Sequence, residues 1–293
     1  MQLIDGKELS KTIKEEIAAQ VETIKRAGTK VPHLAAVLIG DNAASETYVR
    51  NKVRSCEQVG FHSTLIRRDA AISQEDLLEI VRELNEDDDI DGFIVQLPLP
   101  NHIDEEAITL AIDPKKDVDG FHPVNFGRMA QGLPAFLPAT PFGIVQMLER
   151  YGIETSGKHC VVIGRSNIVG TPMSILMSRK AKVGNATVTL THSRTKDLAA
   201  ETLRADIIIA AIGRANFVTA EMVKDGAVVI DVGINRVDDA TRKRGYRLVG
   251  DVDFEGVSPK CSFITPVPGG VGPMTVCSLL MNTLKANRKE IYS

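Results

Sequence analysis

Tyr48 and Lys52 stand four residues apart in "SETYVRNK" (residues 45–52), a spacing that on a helix stacks a phenol and an amine on one face. On an open surface such a pair does nothing. In a cleft, desolvation disfavours the charged form of the amine, so a lysine beside a ring becomes able to exchange protons near neutral pH. Two other stretches offer groups to work with it. "QLPLP" (96–100) places Gln96 on a strand end, where its amide can bond an amine without adding charge, and "KDVDG" (116–120) supplies Asp117 and Asp119. Two carboxylates with no third ligand nearby make a poor divalent site, and the histidines (33, 62, 102, 122, 159 and 192) have no ligand spacing, so no metal is expected. Asp117 reads as structural.

A second chemistry is written in "VVIGRSNIVG" (161–170), a buried strand running into a glycine turn and a helix expected to start near Ile168. That order brings backbone N–H groups to a helix N-terminus, where they can hold phosphate oxygens. The match to GxGxxG is imperfect, since Ser166 stands at the middle glycine position and Gly170 comes one residue late. Gly164, Arg165 and Ser166 are the candidate contacts. The next strand, "ATVTLTHSRT", ends in His192, Ser193 and Arg194, where an NAD-preferring fold places an acidic residue for the ribose hydroxyls. With no carboxylate to repel it, a ribose 2′-phosphate finds charge on Arg194 and Arg165 and a hydroxyl on Ser193, which favours NADP over NAD. "IDVGIN" (230–235) ends a further strand on glycine, and the backbone at Gly233 and Ile234 is placed to approach the nicotinamide side.

The elements that must position these groups alternate along the chain. Leu9, Ile13, Ile17, Val21 and Ile24 recur every three or four residues and predict a helix over 8–27. "HLAAVLIG" is a short apolar run closed by glycine, suited to a parallel strand buried on both faces. Helices over 45–59 and 74–85 then lead to the strands "HSTLIRR" and "GFIVQLPLP". The Pro/Gly-rich 121–141 precedes a helix over 141–151 and a second series of four strand-like runs, "HCVVIG", "ATVTLTH", "ADIIIAAIG" and "AVVIDVG". The fold class is therefore α/β, in two α/β domains. The acidic run "NEDDD" reads as a solvated loop. With 293 residues and 43% hydrophobic content the chain can bury more than one core, while a formal net charge of -3 gives no basic field for nucleic acid. The 4 cysteines are scattered with no CxxC, as for buried thiols in a reducing compartment. No apolar run of about 18 residues appears, so a protein free of the membrane and cytoplasmic is expected.

Taken together, "TYVRNK", "QLPLP", "KDVDG", "PATP", "GRSNIVG", "DVGIN", "GDVDF" and "TPVPGGVGPMT" resemble the methylenetetrahydrofolate dehydrogenase/cyclohydrolase family, in order and over essentially the whole chain. The resemblance implies a folate-binding catalytic domain of residues 1–142 and 273–293, a Rossmann-like, parallel-sheet NADP domain of residues 143–272, and an interdomain cleft. It implies oxidation of methylenetetrahydrofolate by hydride transfer to NADP and hydrolysis of the methenyl cation to 10-formyltetrahydrofolate, by a homodimer. Lys52 matches the family's catalytic lysine, Tyr48 the tyrosine that stacks on folate, Gln96 the glutamine beside the lysine, and Asp119 the aspartate that holds the pterin. Leu97 and the loop residues Pro268, Gly269 and Gly272 belong to the folate contacts on the same ground. A pterin offers an amino group and a ring N–H that one carboxylate can pair with in two places. Two roles stay open for Lys52: a neutral amine that takes a proton, or a charged one that orients water or protonates the leaving nitrogen. One departure is visible, Ala215 where the family commonly has proline after "AAIG".

Overall fold

The computed structural model describes residues 1–242 and 245–292, the side chain of Ala44 apart. Its contacts divide the chain into two compact units, Met1–Ser10 with Thr140–Thr275, and Lys11–Ala139 with Val276–Ser293. The strand β1 (Gln2–Leu3) precedes α1 (Gly6–Arg26), in which Ile13, Ile17 and Val21 are buried at helical spacing. β2 (His33–Ile39) is buried at every residue, as its continuous apolar run requires. α2 (Ala43–Val59), β3 (His62–Arg68), α3 (Gln74–Glu86) and β4 (Gly92–Val95) complete a three-stranded parallel sheet in the order β3-β2-β4. α3 starts where Ser73 Oγ accepts the N–H of Asp76 at 3.0 Å. Its Leu77, Ile80, Val81 and Leu84 share one apolar cluster with Val37, Phe93 and Val95 of the strands. Each such fully buried side chain contributes about 1.5–3 kcal/mol by leaving water. α4 (Glu105–Ala111) and α5 (Pro123–Ala130) follow, α5 capped by His122, whose Nδ1 accepts the N–H of Val124 at 3.1 Å.

In the other unit α6 (Ala139–Arg150) leads to β5 (His159–Ile163), α7 (Gly170–Ser178), β6 (Thr187–Thr191), α8 (Leu198–Leu203), β7 (Ile207–Ala210) and β8 (Val228–Asp231). Then come β9 (Asn235–Asp238), β10 (Tyr246–Val249), α9 (Phe254–Val257) and β11 (Phe263–Ile264), after which α10 (Val271–Asn287) belongs from Val276 onward to the unit of Lys11–Ala139. The main sheet is parallel throughout and has the order β1-β11-β8-β7-β5-β6. β5 has β6 on one side and the later strands on the other, so the strand order reverses beside it, the position where open α/β sheets bind ligands at their carboxyl ends.

Three features depart from the sequence expectations. Residues 1–10 were grouped with the first half, but Gln2 and Leu3 pair with Phe263 and Ile264 at the edge of the six-stranded sheet. β9 and β10 form an antiparallel pair that was not anticipated, because neither carries an apolar run. The helix expected near Ile168 begins at Gly170, since residues 167–169 form a turn. All four cysteines are free and buried. No helix among the described residues is long and apolar enough to cross a membrane.

Candidate active site

In the unit of residues 11–139, α2 carries Tyr48 and Lys52 one turn apart, and the surroundings treat them differently. Lys52 is 7% exposed, whereas Tyr48 keeps 40% of its surface in solvent and offers a ring face. The ammonium donates to Gln96 Oε1 at 3.1 Å, and Gln96 Nε2 donates to the carbonyl of Leu97 at 2.7 Å. These two bonds fix the amide so that its oxygen faces the amine. Burial lowers the pKa of Lys52, and the charge of Asp119 works against that shift. Leu97 and Asp119 line one pocket with Phe93, Ile112 and Phe121. The structure thus sets Lys52 as a buried amine against the neutral amide of Gln96, with Tyr48 one turn away on α2 and the charge of Asp119 near enough to act on it, while Leu97 and Asp119 share a pocket.

Asp117, read as structural, is buried at 3% exposure and accepts the N–H groups of Gly120, Phe121 and His122 at 3.1, 3.2 and 2.8 Å. Burial pushes its carboxyl up to about 7 against the opposing pull of those donors. Among the described residues no group of three or more His, Cys, Asp or Glu is arranged to hold a metal ion.

In the other unit the register pairs Ile163 with Thr191, so the segments 164–166 and 192–194 leave the sheet side by side. Gly164 (φ +109°) lets the chain turn where a Cβ would overlap the carbonyl oxygen of Ala211, and a Cβ at Gly170 would overlap the carbonyl oxygen of Gly164. The late glycine of the motif is therefore the one that lets α7 approach the strand end. Ser166 Oγ accepts the N–H of Val169 at 3.1 Å and of Gly170 at 3.5 Å. The serine closes the turn at the mouth of α7. His192 Nδ1 accepts the N–H of Arg194 at 3.1 Å, and its own N–H donates to Thr195 Oγ1 at 2.9 Å. This closed turn leaves Ser193 and Arg194 exposed next to the exposed Arg165. Two guanidinium groups and a hydroxyl at the carboxyl edge suit the 2′-phosphate of NADP.

Gly233 and Ile234 lie in a second group with the 268–272 loop. Ile234 is 46% exposed, and its Cδ1 lies 3.5 Å from where a Cβ on Gly272 would be. Pro268 is exposed, and the carbonyl of Gly269 accepts the N–H of Lys7 at 2.9 Å.

Sequence reasoning missed the pair that braces this edge. Asp251 Oδ2 accepts the N–H groups of Ile212 and Gly213 at 2.7 and 3.0 Å, and its Oδ1 accepts from Arg214 N and Asn235 Nδ2, both at 2.9 Å. Asp231 accepts from Gly233 N, Asp251 N and Val252 N at 2.9, 2.9 and 3.0 Å. A Cβ on Gly233 would strike the Asp251 carboxylate, and one on Gly250 the Asp231 carboxylate. "DVG" and "GDVD" are thus one reciprocal unit, and their matching Gly/Asp content was the available signal. The turn at Ala215, without the usual proline, is held by Asp251.

Comparison with known proteins agrees along the length of the chain. Residues 4–119 match the catalytic domain of tetrahydrofolate dehydrogenase/cyclohydrolase, and residues 138–291 match its NAD(P)-binding domain. The bifunctional protein FolD of Flavobacterium johnsoniae is 66% identical over 288 residues, covering 98% of each chain. The structure of the bifunctional enzyme FolD, methylenetetrahydrofolate dehydrogenase/cyclohydrolase, from Campylobacter jejuni superimposes with a TM-score of 0.93 at 47% identity and 99% coverage of both chains. The Trypanosoma brucei methylenetetrahydrofolate dehydrogenase-cyclohydrolase, solved with NADP and an inhibitor, gives 0.92 at 38% identity, covering 99% of this chain and 98% of that one.

Proposed function

The chain belongs to the tetrahydrofolate dehydrogenase/cyclohydrolase family, and on that premise we propose that Lys52, supported by Gln96, Tyr48 and Asp119, is its reaction centre. The protein oxidises methylenetetrahydrofolate to methenyltetrahydrofolate with NADP and hydrolyses the product to 10-formyltetrahydrofolate. When bound, NADP supplies the nicotinamide that accepts the hydride. Arg165, Ser193 and Arg194 would hold its 2′-phosphate, and the backbone at Gly164, Gly233 and Ile234 would contribute to the rest of its site, with Ser166 and His192 shaping the two turns.

Oxidation leaves a cation delocalised over two folate nitrogens, so the residues around it must align the substrate and tolerate positive charge. Tyr48 supplies a half-exposed ring on which the flat pteridine stacks. Asp119 pairs with the pteridine's N–H donors, and Leu97 adds an apolar contact beside it. Hydrolysis then needs a group that takes the proton of the attacking water. A buried amine whose pKa is lowered, and whose partner is an uncharged amide, is suited to do so as the neutral base. The same amine, once protonated, is placed to give the proton to the departing nitrogen.

The burial of Lys52 against Gln96 is the observation that carries this reading. A spectrophotometric assay that follows methenyl appearance and decay, first with NADP and then with NAD, tests it: rise and decay with NADP are expected, with a weaker rise with NAD. We take the working form to be a cytoplasmic homodimer joined through the nucleotide-binding unit; light scattering at twice the chain mass is the expected result.

A further inference from the structure

Asp119 has no neighbour in sequence that explains how its carboxylate is aimed, yet the loop that carries it is pinned from several sides. Asp117 takes the backbone N–H groups of 120–122 from inside the loop. The carbonyl of Asp119 itself accepts the N–H of Ala139 at 3.2 Å, and Gly120 (φ +76°) packs where a Cβ would press on the backbone of Leu137 and Pro138. From α10, the fully buried Asn282 donates to the carbonyls of Val118 at 2.8 Å and Leu137 at 2.9 Å, tying the two segments together.

The remaining support comes from the end of the chain. Asn125, also fully buried, donates through Nδ2 to Asp117 Oδ2 at 3.0 Å and to the carbonyl of Pro114 at 2.9 Å. Its Oδ1 accepts the N–H of Phe136 at 3.3 Å and the hydroxyl of Tyr292 at 2.8 Å. The Tyr292 ring lies 5.9 Å from Phe136, centroid to centroid, with the Arg128 guanidinium 4.9 Å from its own centroid. The Phe136 N–H and the Pro114 carbonyl fix which way the Asn125 amide points, so that Asp117 receives a donor, and the hydroxyl from position 292 adds a second donor to the same amide oxygen, holding the buried side chain in place.

We propose that Asp117, Asn125 and Tyr292 are positioning residues for Asp119, holding the 117–122 loop so that its carboxylate meets the folate. The inference rests on the reading of Asp119 as the pteridine's partner, and its test runs on the full-length enzyme with three variants. Tyr292→Phe keeps the ring and removes one hydrogen bond, a loss of about fivefold in affinity where the bond matters. It is expected to raise KM for methylenetetrahydrofolate about fivefold, with KM for NADP unchanged, and to speed amide exchange at 120–122. Asn125→Asp, which sets a carboxylate against Asp117, is expected to do the same more severely. Asp119→Asn is measured in parallel and is expected to raise folate KM beyond either. A Tyr292→Phe enzyme with unaltered folate KM beside an impaired Asp119→Asn overturns the positioning role alone, as does an equal change in the KM for folate and for NADP. A silent Asp119→Asn overturns the reading of Asp119 and this inference with it.

Discussion

The amine of Lys52 is the point where burial and charge pull in opposite directions. Burial lowers its pKa and Asp119 raises it, and burial prevails. Between the lowered native value and the ordinary lysine value of 10.5 the unfolded chain binds more protons than the native one, so stability gained through this group rises with pH across that window. Lys52→Met is therefore expected to be more stable than the parent at pH 7, by about 2 °C in Tm, with the gain shrinking as pH approaches 10.5. Calorimetry at two pH values checks the sign. If Lys52 acts as the neutral base, hydrolysis is expected to follow the same titration, its rate climbing with pH as the amine loses its proton. Arg194 poses a simpler question. If it pairs with the 2′-phosphate, Arg194→Ala raises KM for NADP about tenfold and leaves KM for NAD nearly unchanged, and initial-rate kinetics with both cofactors separates the two.

Turns, more than strands or helices, decide what each side chain faces. Gly170 lets α7 start hard against the carbonyl of Gly164, so Gly170→Ala is expected to cost about 3 kcal/mol in urea unfolding and to weaken NADP binding. The periodic elements are readable from residues alone: the buried stripe of α1, the run of β2 that is apolar after His33 and the runs that form β5 to β8 each carry a physical signature. β1 and β11 do not, because two-residue strands have no period and gain their ladder only from the strands they meet in the folded sheet. Individual site residues divide in the same way. Tyr48 and Lys52 are legible as one helix face, but only the three-dimensional structure places Gln96 Oε1 against the amine. Ser166 is legible as the residue at the motif's middle glycine position, but only the three-dimensional structure shows its oxygen accepting the backbone N–H groups of Val169 and Gly170. Asp231 and Asp251 went unread because their partners are backbone N–H groups up to 39 residues away, which no spacing rule reports.

Across the whole molecule the two ligands are expected to act on different parts of the chain. At 100 times its Kd, NADP stabilises the protein by about 2.7 kcal/mol, and hydrogen exchange should register this in β5 to β8, whereas a folate analogue should protect α2 and the 117–122 loop. Uniform protection by either ligand would show that the assignment of binding roles to the two units is wrong. Lys52, the proposed reaction centre, is the most direct point of attack. Methenyltetrahydrofolate hydrolysis by Lys52→Met, measured beside its NADP affinity, is expected to fall by at least about 100-fold with NADP affinity within about twofold of the parent. Hydrolysis at the parental rate in that variant would contradict the account.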